Sequence, residues 1–235
     1  MSAPQQAAPR LRIRDDLAYI LPMATFIVLS WVGTLGAEAG HGNTFYPYAY
    51  TARAFAVGVM LLLFRHAYTR IRWSYWWLGL IVGVAGFFQW VPMQLFLQHH
   101  FEWFKPDEKA FNPDLFFQNP TIRWAFIAIR LFGAALVVPF MEELFWRDFC
   151  WRSIIAPNDF KLARVGEWDW KAFVAIPIIF SFVHLPWWPT AIVWAFMIGA
   201  LLVVTKSLGA CIIAHAVTNL LLGLYVLHTK QWFFW

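Results

Sequence analysis

Apolar positions in this chain form long, nearly unbroken runs separated by short polar breaks. They show neither the strict alternation of half-buried strands nor the single stripe of a soluble amphipathic helix. Seven runs are read: Leu17 to Leu35, Ala49 to Phe64, Ser74 to Leu97, a fourth described next, Ala172 to Trp188, Thr190 to Val204 and Leu208 to Leu227. The fourth starts between Ile122 and Ala128 and continues through Glu142. These lengths approach the roughly 20 residues that a helix needs to cross a bilayer. The pattern predicts an all-α, polytopic transmembrane helix bundle of about seven spans, with six to eight as the range. Gly79, Gly83 and Gly86 in the third run form a small-residue stripe that permits close helix approach.

Composition agrees. Of 235 residues, 61% are hydrophobic and 13% charged, against about 45–50% and about 25% in soluble domains. Sixteen Trp, seven Tyr and 24 Phe suit membrane–water interfaces. Disorder, collagen, coiled coil and a disulfide-stapled secreted domain are excluded, and Cys150 and Cys211 both lie inside apolar segments. The net charge of +5 does not indicate nucleic acid, because Lys and Arg cluster in short breaks between runs. Those clusters stand before run one (Arg10, Arg12, Arg14), after run two (Arg65, Arg70, Arg72), in the connector after run four (Lys161, Arg164, Lys171) and at Lys206. Segments 36–47 and 98–121 are acidic on balance. With seven spans the basic clusters share one side, which the positive-inside rule makes cytoplasmic.

The organisation expected is a cytoplasmic N-terminal tail over 1–16 and N-terminal helices with an interfacial or re-entrant segment over 17–121. Core helices follow over 122–228, and an aromatic tail over 229–235 lies at the opposite interface. No signal peptide and no internal repeat are read. The partner this implies is the lipid bilayer, and a multi-pass integral membrane protein is the expected localisation. Short loops favour a bacterial inner membrane over an endoplasmic reticulum.

Ionisable residues at membrane depth are costly, which makes them functional-site hypotheses by default. Glu142 and Glu143 stand together in an apolar helix, followed by Arg147. Glu143 and Arg147 are four apart and share a face. Glu142 points about 100° away and lacks that partner. The division expected is one glutamate ion-paired and structural, the other free for chemistry, with Pro139 kinking the helix just upstream. The bland reading is a helix end where Glu and Arg meet water. Phe180 and His184 stand one turn apart at a span end, where a lone His is usually inert. His215 and Asn219 share a face of the last run, which a helix–helix hydrogen bond alone would explain. A fourth helix over about 128–156 has Glu142 at its midpoint, Arg130 snorkelling at the outer interface and Arg152 near the inner one. All three sites then converge near mid-membrane. The histidines at 41, 66, 99, 100 and 228 are read as interfacial.

Glu142-Glu143…Arg147, Phe180…His184 and His215…Asn219, in this order on separate apolar helices, resemble the CAAX prenyl endopeptidase-like (CPBP) family of intramembrane proteases over about residues 125–228. The resemblance implies peptide-bond hydrolysis within the membrane, on a membrane-associated protein or peptide. It implies that Glu142 and His184 activate water, that His215 and Asn219 stabilise the oxyanion, and that Glu143, Arg147 and Phe180 support them. Asp148 departs from the glycine common after the motif arginine, which bears on specificity more than on the reaction; Arg147 and Arg152 are both within its reach. Family members are described both with and without metal. Glu142, His184 and His215 would supply three zinc ligands, yet no His-Glu-x-x-His is present, and a metal-free site is preferred. The rival readings are a proteolytically inactive membrane scaffold and a proton-coupled transporter.

Overall fold

Side chains cap the helices where the polar breaks predicted starts. Asn119 accepts from the Thr121 and Ile122 amides at 2.8 and 3.4 Å ahead of Pro120, and Pro at the first helical position loses no intrahelical bond. Asp169 and Ser207 accept from Ala172 and Ala210 in the same manner. Lys206 and Lys230 adopt left-handed backbone and terminate the helices before them.

The structure, a computed structural model, describes residues 12–36, 44–105, 110–185 and 187–235, with the side chains of 12–14 excepted. Arg10, Glu38, His41, Asp107, Glu108 and Pro186 lie outside the described residues, as do residues 1–11 of the expected tail. Among the described residues seven helices match the seven runs: α1 Arg12–Gly36, α2 Tyr46–Leu63, α3 Trp76–His100, α4 Pro120–Ile155, α5 Trp170–Phe182, α6 Trp188–Thr205 and α7 Leu208–Thr229. The protein is an all-α bundle. Five helices (α1, α3, α4, α6 and α7) are long and apolar enough to cross a membrane. The other two are α2, with Arg53 and three tyrosines, and α5, which has only 13 residues. The fifth run was expected to continue to Trp188, but its helix stops at Phe182, four positions short of Pro186. A proline disfavours helical backbone at the residue before it.

α4 starts well before the expected span of about 128–156. Its 36 residues make about 54 Å of helix. Two wide, π-type stretches interrupt it, Gly133–Val137 and Leu144–Cys150. The first ends two residues before Pro139, whose missing N–H and ring bulk a regular helix does not accommodate. Arg130 does not snorkel. It is 7% exposed, donates to the Tyr46 hydroxyl and faces the rings of Tyr46, Tyr50 and Trp235. Rings from α2 and from the end of the chain close over it and replace water around the guanidinium.

α3 and α7 pack most extensively. A Cβ on Gly79 would stand 2.5 Å from the Ala210 carbonyl oxygen, and one on Gly83 2.7 Å from that of Ala214. The glycine stripe therefore brings two parallel backbones into contact. Thr218 adds a hydrogen bond to the Gly83 carbonyl at 2.9 Å.

The ends of the bundle differ. At one, Lys161 pairs with Asp15, Lys206 donates to the Gly166 carbonyl and Ser207 donates to that of Arg72. The basic clusters that follow α2, α4 and α6 are gathered there. At the other, Asp114 meets both Arg123 and Lys230. There Phe111 and Phe117, from the segment between α3 and α4, pack on Phe126 of α4.

Candidate active site

The wide stretch Leu144–Cys150 begins directly after the glutamate pair. Glu142 is 4% exposed, and Glu143 and Arg147 are fully buried. Arg147 donates to Glu143 Oε1 at 3.2 Å, as the four-residue spacing predicts. His215 of α7 presents Nδ1 to the same oxygen at 2.9 Å. Glu143 thus joins two of the three motifs. Glu142 Oε2, Glu143 Oε2 and Trp146 Nε1 are buried with no hydrogen-bond partner, and so are available to water or a ligand.

His184 follows the last turn of α5. Its Nδ1 lies 2.9 Å from the Phe180 carbonyl oxygen. A carbonyl can only accept, so Nδ1 carries the proton, and in the neutral ring Nε2 is the lone-pair nitrogen. The imidazole stacks on the Phe180 ring at 4.1 Å. Glu142, His215 and Arg147 all act on it electrostatically. Asn219 donates Nδ2 to the Ala134 carbonyl at 2.8 Å. Ala134 sits in the first wide stretch of α4, where the altered bonding pattern leaves carbonyls open to an outside donor.

Aromatic rings tie the motifs together. Phe180 stacks on Trp194 of α6 at 5.5 Å, and the two rings lie under Arg147 at 5.0 and 5.5 Å. The Arg147 nitrogens that make no hydrogen bond, Nε and Nη2, are faced by these rings. Trp194 also meets His215 edge-on at 4.6 Å, and Trp90 of α3 meets both His184 and Trp194. Neither tryptophan belongs to a motif. Their only signal in the sequence is position in an apolar run, which fourteen other tryptophans dilute.

Asp148 is buried and pairs with Arg152, not Arg147. It also accepts from the Tyr19 hydroxyl at 2.8 Å. Arg152 continues to Thr69 and to the Ala163 carbonyl. The four contacts bind α1, the loop after α2 and the connector after α4 to one point on α4.

Residues 124–221 match the family model described as type II CAAX prenyl endopeptidase Rce1-like. That match, over about two fifths of the chain, is a likeness to the CAAX prenyl endopeptidase-like family. It contains every motif residue named above and begins after α3. No curated protein and no solved structure matches the chain.

The three residues considered as zinc ligands, Glu142, His184 and His215, are not gathered into a ligand set in this arrangement. Among the described residues no three His, Cys, Asp or Glu side chains form a set able to hold a metal ion. His215 Nδ1 is turned to Glu143 and His184 Nδ1 to a carbonyl, so Nε2 is the nitrogen each ring leaves open.

Proposed function

We propose that this protein is an intramembrane endopeptidase that hydrolyses a peptide bond of a membrane-associated protein or peptide. The observation that carries the reading is the division of labour between adjacent glutamates. Glu143 is tied through Oε1 to Arg147 and His215, while Glu142, close enough to His184 to act on its charge, takes part in no such ion pair. A water held between Glu142 and His184 Nε2 gives up a proton as it attacks the carbonyl carbon, and the leaving amine receives one in return. His215, held at Nδ1 by Glu143 Oε1, serves the oxyanion through its opposite ring nitrogen. Asn219 keeps a second N–H for the oxyanion, its first being held by the Ala134 carbonyl. Fixed donors in a water-poor site stabilise developing charge more than they would in bulk water. No step is routed through a metal. The gathering of basic residues at one end supports a cytoplasmic N-terminus.

The test compares membrane proteomes of cells making wild type, Glu142→Gln or His184→Ala. Fragments present with wild type are expected to vanish in both variants at unchanged protein abundance, and to persist when a chelator is added to wild-type membranes. Identical fragments in Glu142→Gln would leave a non-proteolytic scaffold as the function. Loss of the fragments on chelation would restore the metal reading.

A further inference from the structure

The buried residues of α3 are Gly79, Gly83, Gly86, Trp90, Val91, Gln94 and Gln98. The glycines serve α7, and Trp90 stands against His184. The two glutamines then continue the same stripe past the site. Gln94 is completely buried and Gln98 is 9% exposed, yet Nε2 of each has no hydrogen-bond partner. Gln94 holds one contact, Oε1 accepting from the Thr190 hydroxyl at 3.0 Å. Because that hydroxyl can donate or accept, one end of the amide is unpartnered whichever way it is turned. Thr190 lies in the first turn of α6, just after the connection that bears His184. That connection sits beside Gln94, about 9 Å short of the end of α3 at His100. Two amide groups therefore stand on α3 between the level of His184 and the Asp114 end of the bundle.

The physics of cutting a peptide in lipid explains why amides would be wanted there. A helical substrate engages its own carbonyls, so the bond to be cut must sit in an unwound segment. Unwinding in hydrocarbon orphans backbone groups, each at a cost of several kcal/mol. Donors displayed four residues apart on a helix are about 6 Å apart along its axis. Carbonyls on one side of an extended chain recur every two residues, about 6.6 Å. The spacings agree.

From this we infer that Gln94 and Gln98 form a substrate subsite, their side-chain N–H groups binding alternate backbone carbonyls of the unwound segment next to the scissile bond. The ligand is an extended peptide backbone of any side-chain sequence. The inference rests on the endopeptidase reading.

The test measures Glu142-dependent fragments in membranes that contain the full chain as wild type, Gln94→Met, Gln98→Met or Thr190→Val. Each Gln variant is expected to lower fragment yield about threefold to tenfold, the value of one hydrogen bond to a substrate. The loss should be uniform across substrates, at unchanged abundance and thermal stability, and raising the substrate copy number should restore the yield. Thr190→Val keeps the Gln94 amide and removes its internal contact, so its yield should match wild type. Unchanged yields in both Gln variants overturn the subsite while the endopeptidase stands. So does a loss in Thr190→Val equal to that in Gln94→Met, which would make Gln94 structural. Fragments that do not depend on Glu142 remove the endopeptidase reading and this subsite with it.

Discussion

Glu142 and Glu143 are neighbours in sequence with opposite situations, and the difference is one of bonding. Glu143 has no exposure and two donors on one oxygen. Removing one partner of a buried pair leaves the other uncompensated, at about 3–5 kcal/mol. Glu143→Gln is therefore expected to lower thermal stability in detergent by an amount in that range and to reduce proteolysis, through both Arg147 and His215. A neutral result would mean that the ion pair does not organise the site. Asp148→Ala belongs to the same class, since it strands Arg152 and frees the Tyr19 hydroxyl. Its expected signature is lost stability with an unchanged set of fragments, because its partners lie away from His184. The Glu143–Arg147 pair was legible in the sequence because both residues sit on one helix, where spacing is geometry. His215 on Glu143 and Arg152 on Asp148 differ in kind. The first joins residues 72 positions apart, which periodicity cannot see, and the second was one of two equal choices.

At the level of elements, the sequence located all seven helices, since long apolar runs leave little alternative in a bilayer. It placed their ends less well. The early start of α4 depends on the Asn119-Pro120 cap, which lies outside the apolar run, and the early stop of α5 on a proline still inside it. The wide turns of α4 have no periodic signature, yet one ends two residues before Pro139 and presents Ala134 to Asn219, and the other follows the glutamate pair. Arg130 shows the limit most plainly: its aromatic surroundings come from α2 and residue 235, and no local pattern announces them. The glycine stripe was legible and has a sharp consequence. A Cβ on Gly86 would lie 2.7 Å from Thr218 Oγ1 and 2.9 Å from Trp194 Nε1. Gly86→Leu is expected to destabilise the fold by about 1–3 kcal/mol. It should also disturb Trp194 against His215, so that activity per folded molecule falls as well. Activity retained in the folded fraction would show that Trp194 is not needed to position the histidine.

Over the whole molecule, helix length is unevenly distributed. α3 and α7 have 25 and 22 residues, about 37 and 33 Å, and suit a hydrocarbon layer of about 30 Å. α5 has 13, about 20 Å, and bears Phe182, Val183 and Leu185 as exposed apolar side chains around its end. Lipids beside α5 have less apolar height to match than lipids elsewhere around the bundle, and a bilayer meets such a mismatch by thinning locally. Proteoliposomes of lipids with progressively longer acyl chains should then show falling cleavage rates at equal enzyme content. A rate indifferent to chain length would mean that α5 leaves the lipid flat. A falling rate would mean that the short helix dimples the surrounding sheet and that the proposed hydrolysis draws its water from the bottom of that dimple. The membrane itself would then be part of the proposed catalyst, its thickness setting how far the second substrate must travel.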